Sequence, residues 1–230
     1  MKYKHIFFDL DRTLWDFDAN SRATLTELYA EFSLMNYGVR SVEVFIGVYE
    51  TINKGLWARY RNGRMSTKHL RELRFVKTLE HLGCRDRVLG ERLGEAYLMG
   101  SPMKTAVVPN AIETLEYLRD KYELHIITNG FEDVQHLKLD RSGLGPYFKH
   151  VVTSERASAR KPGKEVFEFA FALAGTGSEE SLMVGDDPET DIAGARNIRM
   201  DGALYNPDKV EHSEKPTYEI ADLAELKTLL

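Results

Sequence analysis

Asp9 and Asp11 stand two residues apart at the end of an apolar run, HIFFDLDRTLWD. Like charges this close repel and hold on to each other's protons, so the pair needs a cation, a lysine or bound protons to offset it. Residues able to do so lie far along the chain: Thr128 and Asn129 in IITNG, Lys161 in RASARKPGK, and Asp186, Asp187 and Asp191 in MVGDDPETD. Carboxylates from two separate strand ends suit a hard divalent cation of the magnesium type, which takes oxygen ligands and keeps several waters. A hydroxyl, loop amides and a lysine suit the oxygens of a phosphate. The chemistry these types describe is Mg2+ and a phosphate ester sharing one site.

Such a site requires elements that bring the residues to one place. The run ending at Asp9 reads as a strand buried on both faces, of the kind found in parallel sheets. From residue 109 onward strand and helix alternate. ELHIITNG, HVVTS, SLMVGDD and GALYN read as strands, while PNAIETLEYLRDKY, GKEVFEFAFALAG and PETDIAGARN read as helices. Asn110 with Glu113 has the spacing of a capping box, and Gly175 closes the second helix. This alternation predicts an α/β fold with a doubly wound, mainly parallel sheet. Ligands in such sheets bind beyond the carboxyl ends of the strands, where the polar groups above would share one rim.

The block from residue 17 to 100 has a different texture. Leu25, Leu28, Tyr29 and Phe32, then Leu70, Leu73, Val76 and Leu79, follow helical spacing, and the block reads as a bundle of about four helices. The expected division is therefore a core of residues 1–16 and 101–230, with an α-helical domain of residues 17–100 inserted after the first strand.

Composition limits the alternatives. The 230 residues are 43% hydrophobic and 29% charged, with a net charge of −5, as expected for a globular protein with a sizeable core. Basic clusters are short and interrupted, so no nucleic-acid partner is expected. The opening MKYKHIFFDLD lacks the pattern of a signal peptide, and no segment approaches the roughly 20 apolar residues of a membrane span. A cytoplasmic location without membrane attachment is the expectation. The lone cysteine, Cys84, excludes an internal disulfide and reads as a helix-packing residue.

Four motifs together, DLDRT, ITNG, RKP and GDDPETD, make the chain resemble the haloacid dehalogenase (HAD) superfamily of hydrolases, in its phosphatase form with a helical cap inserted after strand one. The resemblance implies a Rossmann-like core and roles for particular residues. Asp9 is the nucleophile that forms an aspartyl-phosphate, and Asp11 is the general acid and then the base that activates water. Mg2+ is held by Asp9, the main-chain carbonyl of Asp11 and Asp186. Thr128 and the amide of Asn129 bind the phosphoryl group, and Lys161 neutralises charge. Thr13 fixes the loop. Asp187 and Asp191 stand as a second layer that holds a metal-bound water or orients Lys161, with Asp187 equally readable as a helix cap.

An acid at Asp11 favours a phosphatase over a dehalogenase, because a halide leaves without protonation whereas an alcohol benefits from it. Arg12, where many relatives have glycine, reads as facing solvent. DLDRTLWDFDANSRATL, INKGLWARYRNGRMS, LRELRF and the ending YEIADLAELKTLL resemble the pyrimidine 5'-nucleotidase-like branch. Trp15, Phe17, Trp57, Tyr60 and Arg61 would then either stack on a base and touch the sugar or pack the helical domain. A sugar-phosphate or phosphoglycolate phosphatase is the rival enzyme, and a receiver-like phospho-switch without turnover the rival of another class.

Overall fold

The computed structural model describes residues 2–230. Two compact units divide the chain: one of the segment up to Phe17 with Thr105–Leu230, the other of Asp18–Lys104.

The first unit is built on six strands, β1 (His5–Phe8), β2 (Glu123–Thr128), β3 (His150–Thr153), β4 (Ser181–Gly185), β5 (Asp201–Tyr205) and β6 (Tyr218–Ile220). They lie in the order β3-β2-β1-β4-β5-β6, every pairing parallel. Strand residues alternate between two buried faces, which is why the sequence shows continuous apolar runs rather than an in-and-out pattern. Ile6, Phe8, Leu124, Ile126, Leu182 and Val184 face α5 (Ala111–Arg119), α6 (Glu132–Ser142) and α9 (Leu226–Leu229). Phe7, Ile127, Val152 and Met183 face α7 (Lys164–Ala174) and α8 (Ala193–Asn197).

Strands β2 and β3 lie on one side of β1, and the chain then returns to lay β4 on the other side. The loops leaving β1 and β4 therefore diverge, which opens a crevice at the carboxyl ends of those two strands. Asp9 directly follows β1 and Asp186 directly follows β4.

The second unit contains most of α1 (Phe17–Glu31), and α2 (Val42–Arg61), α3 (Thr67–His81) and α4 (Arg87–Gly100). Its core gathers Leu25, Leu28, Phe45, Tyr49, Phe75, Leu79, Leu93, Tyr97 and Cys84. The rings of Tyr49 and Tyr97 lie 4.8 and 5.3 Å from that of Phe75. Leu73, assigned to the α3 stripe from spacing, is only half-buried, and Phe75 takes the central place. Among the described residues no helix is long and apolar enough to cross a membrane.

Three local expectations are corrected. Asn110 does not cap α5: its backbone is left-handed (φ 62°) and its side-chain amide donates to both carboxylate oxygens of Asp222 instead. The segment PETDIAGARN starts as a wide turn, Pro188–Ile192, before α8. The strands read from sequence end at GALYN, whereas the three residues of β6 add a further edge strand beyond it.

Candidate active site

Lys161 is the hub of the rim. It is 1% exposed, and its Nζ donates to Asp9 Oδ1 (2.6 Å), Asp191 Oδ1 (2.6 Å) and the main-chain oxygen of Ile127 (2.7 Å). A lysine so deeply buried keeps its charge only with anionic partners. Burial works against that charge, yet Asp191 and Asp9 outweigh it and raise the Lys161 pKa above its ordinary value.

Asp9 continues the β1–β4 pairing, its amide donating to the Val184 carbonyl at 2.9 Å. Burial pushes its carboxyl up to about 7 against the opposing pull of Lys161, and the charges of Asp191 and Asp11 add to the rise. Asp186 lies across the crevice, and the buried hydroxyl of Thr13 donates to its Oδ1 (3.2 Å). Burial first, then the charges of Asp9 and Asp191, hold its pKa well above the carboxylate range. Asp191 uses both oxygens: Oδ1 meets Lys161, and Oδ2 accepts from the Asp187 amide at 3.1 Å.

Asn129 ties the loop after β2 to Lys161 by a reciprocal pair, its Nδ2 donating to the Lys161 carbonyl (3.0 Å) and its Oδ1 accepting from the Lys161 amide (2.9 Å). The side chain of Asn129 thus positions the lysine. Thr128, 1% exposed, accepts at Oγ1 from the amide of Gly130 (3.1 Å), which fixes its hydroxyl at the strand end.

Asp9, Asp186 and Asp191 each offer a carboxylate oxygen, and the three atoms lie within 4.8 Å of one another. Lys161 is hydrogen-bonded to two of these carboxylates and not to Asp186. Two buried carboxylates and the half-buried Asp186 beside one ammonium leave excess negative charge, and an all-oxygen donor set is what a hard divalent cation takes, so the residues present fit Mg2+.

Asp11 stands apart from this cluster. Its carboxylate is turned to α6, where Lys138 Nζ donates to Oδ1 (2.5 Å) and Gln135 Nε2 to Oδ2 (3.1 Å). Asp187 Oδ1 accepts from the amides of Glu189 and Thr190 (2.9 and 3.2 Å), so its side chain caps the following turn. Arg12 adopts a left-handed backbone, φ 68°, a conformation glycine takes without strain, and its exposed guanidinium covers the Phe17 ring at 4.3 Å.

The profile of the haloacid dehalogenase-like hydrolases matches residues 3–199. This chain belongs to that family. It is 34% identical to the pyrimidine 5'-nucleotidase YjjG of Escherichia coli, over 100% of this chain and 99% of that protein. Identity is also 34% to the pyrimidine 5'-nucleotidase PynA of Streptococcus pneumoniae, over 98% and 94%. Among solved structures, the HAD-hydrolase YfnB of Bacillus subtilis bound to magnesium superposes with a TM-score of 0.90 at 30% identity, covering 100% of this chain and 99% of that one.

Within the HAD frame, the rim brings together Asp9, Lys161, Asp186 and Asp191, with the Thr128–Asn129 loop anchored to it. Trp15 is corrected as a base-stacking candidate: it is fully buried among core residues of the sheet unit, with the Lys138 ammonium 4.2 Å from its ring centre. Trp57 and Tyr60 meet edge to face at 5.5 Å on α2, which Arg61 ends. Gln135 and Lys138 escaped the sequence reading altogether. Their available signal was two polar residues, three apart, on the face of a helix that elsewhere would be an apolar stripe.

Proposed function

We propose that this protein is a magnesium-dependent phosphatase that hydrolyses small phosphomonoesters, foremost nucleoside 5'-monophosphates, through an aspartyl-phosphate on Asp9. The observation that carries the reading is the buried Asp9–Lys161–Asp191 chain beside Asp186 at the switch point of the sheet. A carboxylate nucleophile needs no base, but it does need an electropositive partner to face an anionic ester, and Lys161 supplies one.

Asp9, the main-chain carbonyl of Asp11 and Asp186 would hold Mg2+, which when bound supplies further neutralisation of phosphoryl and carboxylate oxygens. Thr128 and the Asn129 amide bind the phosphoryl group. Asp9 attacks phosphorus in line, and Asp11 donates a proton to the departing oxygen and later takes one from water. Asp191 keeps Lys161 in place, and the helical unit Asp18–Lys104 corresponds to the inserted cap domain. Nucleoside monophosphates are favoured because two relatives aligned over nearly their full length carry pyrimidine 5'-nucleotidase names.

A panel of nucleoside, sugar and glycolate phosphates assayed with Mg2+ tests the assignment. The expected result is fastest turnover of a pyrimidine nucleoside 5'-monophosphate. Fast turnover of a sugar phosphate beside indifference to nucleotides would replace the substrate, and no turnover of any ester would remove the phosphatase.

A further inference from the structure

Asp11 meets two side chains that sequence motifs do not mark. Lys138 and Gln135 lie three residues apart on α6, 4% and 1% exposed, and between them engage both oxygens of the Asp11 carboxylate. Neither burial is favourable by itself. An ammonium withdrawn from water needs an anion, and here it has Asp11 on one side and the Trp15 ring at 4.2 Å.

The approach of Gln135 is built into the neighbouring loop. A Cβ added to Gly130 would stand 1.8 Å from Gln135 Nε2, so the glycine of the TNG stretch leaves the room this amide occupies. Gly130 also donates its amide to Thr128. One short segment thereby fixes the phosphate-binding hydroxyl and seats the side chain that holds Asp11. Gln135 Oε1 has no hydrogen-bond partner among the described residues.

We propose that Gln135 and Lys138 are positioning residues that fix the orientation of the Asp11 carboxyl, the group that exchanges a proton with the ester's bridging oxygen in the phosphatase reading, with Gly130 as the space they require. This rests on the phosphatase reading above. In the first step the bond from phosphorus to the bridging oxygen breaks, that oxygen takes the proton of Asp11, and phosphorus bonds to Asp9. In the second, water gives its proton to Asp11 as its oxygen bonds to phosphorus and the bond to Asp9 breaks.

Leaving-group dependence separates this role from a structural one. An alkyl phosphate needs its leaving oxygen protonated, whereas an aryl phosphate with an acidic phenol barely does. Lys138→Met, assayed in the full chain with Mg2+, is expected to lose about 100-fold in kcat/KM on a sugar or nucleoside phosphate and no more than about 10-fold on p-nitrophenyl phosphate, with Asp11→Asn showing the same split. Gln135→Leu and Gly130→Ala should lean the same way and carry the comparison if Lys138→Met does not fold. Equal losses on both ester types in the folded variants, with Asp11→Asn still split, would overturn the proposal. No turnover of either ester by the parent would instead sink the phosphatase reading beneath it, and turnover of both at the parent rate by Asp9→Asn would remove Asp9 as its nucleophile.

Discussion

Gly185 lies so close to the carboxylate of Asp191 that an added Cβ would stand 2.2 Å from Asp191 Oδ2. The last residue of β4 is therefore small because an aspartate of the following turn must fold back over the strand end to reach Lys161. Gly185→Ala should displace Asp191 and unseat the ammonium it holds. We expect a stability loss of about 1–3 kcal/mol by denaturant titration and about a 100-fold drop in kcat. Parent-like values for both would show that the close approach is dispensable.

Asp186 sits among carboxylates with no ammonium of the described residues bonded to it, and it should therefore destabilise the metal-free fold. Asp186→Asn is expected to melt higher than the parent without metal, by about 1–2 kcal/mol of stability, and to lose the rise in Tm that Mg2+ gives the parent. An unchanged magnesium response in that variant would remove Asp186 from the metal site.

The far ends of the central strands carry a second titratable group. His125 is fully buried and stacks on His150 and His5, and burial, then those two neighbouring histidines, press its pKa down to about 4. The unfolded chain, with a histidine near 6.5, binds more protons than the folded one between these values. Stability is thus full above about pH 6.5 and falls as pH drops toward 4. Between pH 7 and 5 the loss should be on the order of 1–2 kcal/mol after screening, and His125→Gln should flatten it. Equal slopes of urea midpoint against pH in parent and variant would exclude His125 as the source.

Much of the rim was legible because its residues end apolar runs. Asp9, Thr128 and Asp186 each follow a stretch that reads as a buried strand, and parallel strands bring their carboxyl ends to one side. Lys161 ends no strand, lying eight residues beyond Thr153, and it was its charge, beside two aspartates that need a cation, together with the RKP motif that pointed to it. The compensation expected for Asp9 and Asp11 was one lysine and a cation, whereas each aspartate meets a lysine of its own, Lys161 and Lys138. Lys138 was hidden because α6 lacks a clear apolar stripe. Asp187 could be read two ways from local pattern and Asn110 was read as a cap, and the partner that decided each, the turn at Pro188 and distant Asp222, is a matter of three-dimensional arrangement. Three-residue β6 is too short to show a period at all.

The central claim is that Asp9 takes the phosphoryl group, and acid quenching during turnover of a phosphate ester with Mg2+, followed by peptide mass spectrometry, tests it most directly. The expected result is one phosphoryl group on the peptide bearing Asp9, absent from Asp9→Asn, whose activity falls to background. A phosphoryl group on any other residue, or undiminished hydrolysis by Asp9→Asn, would contradict it.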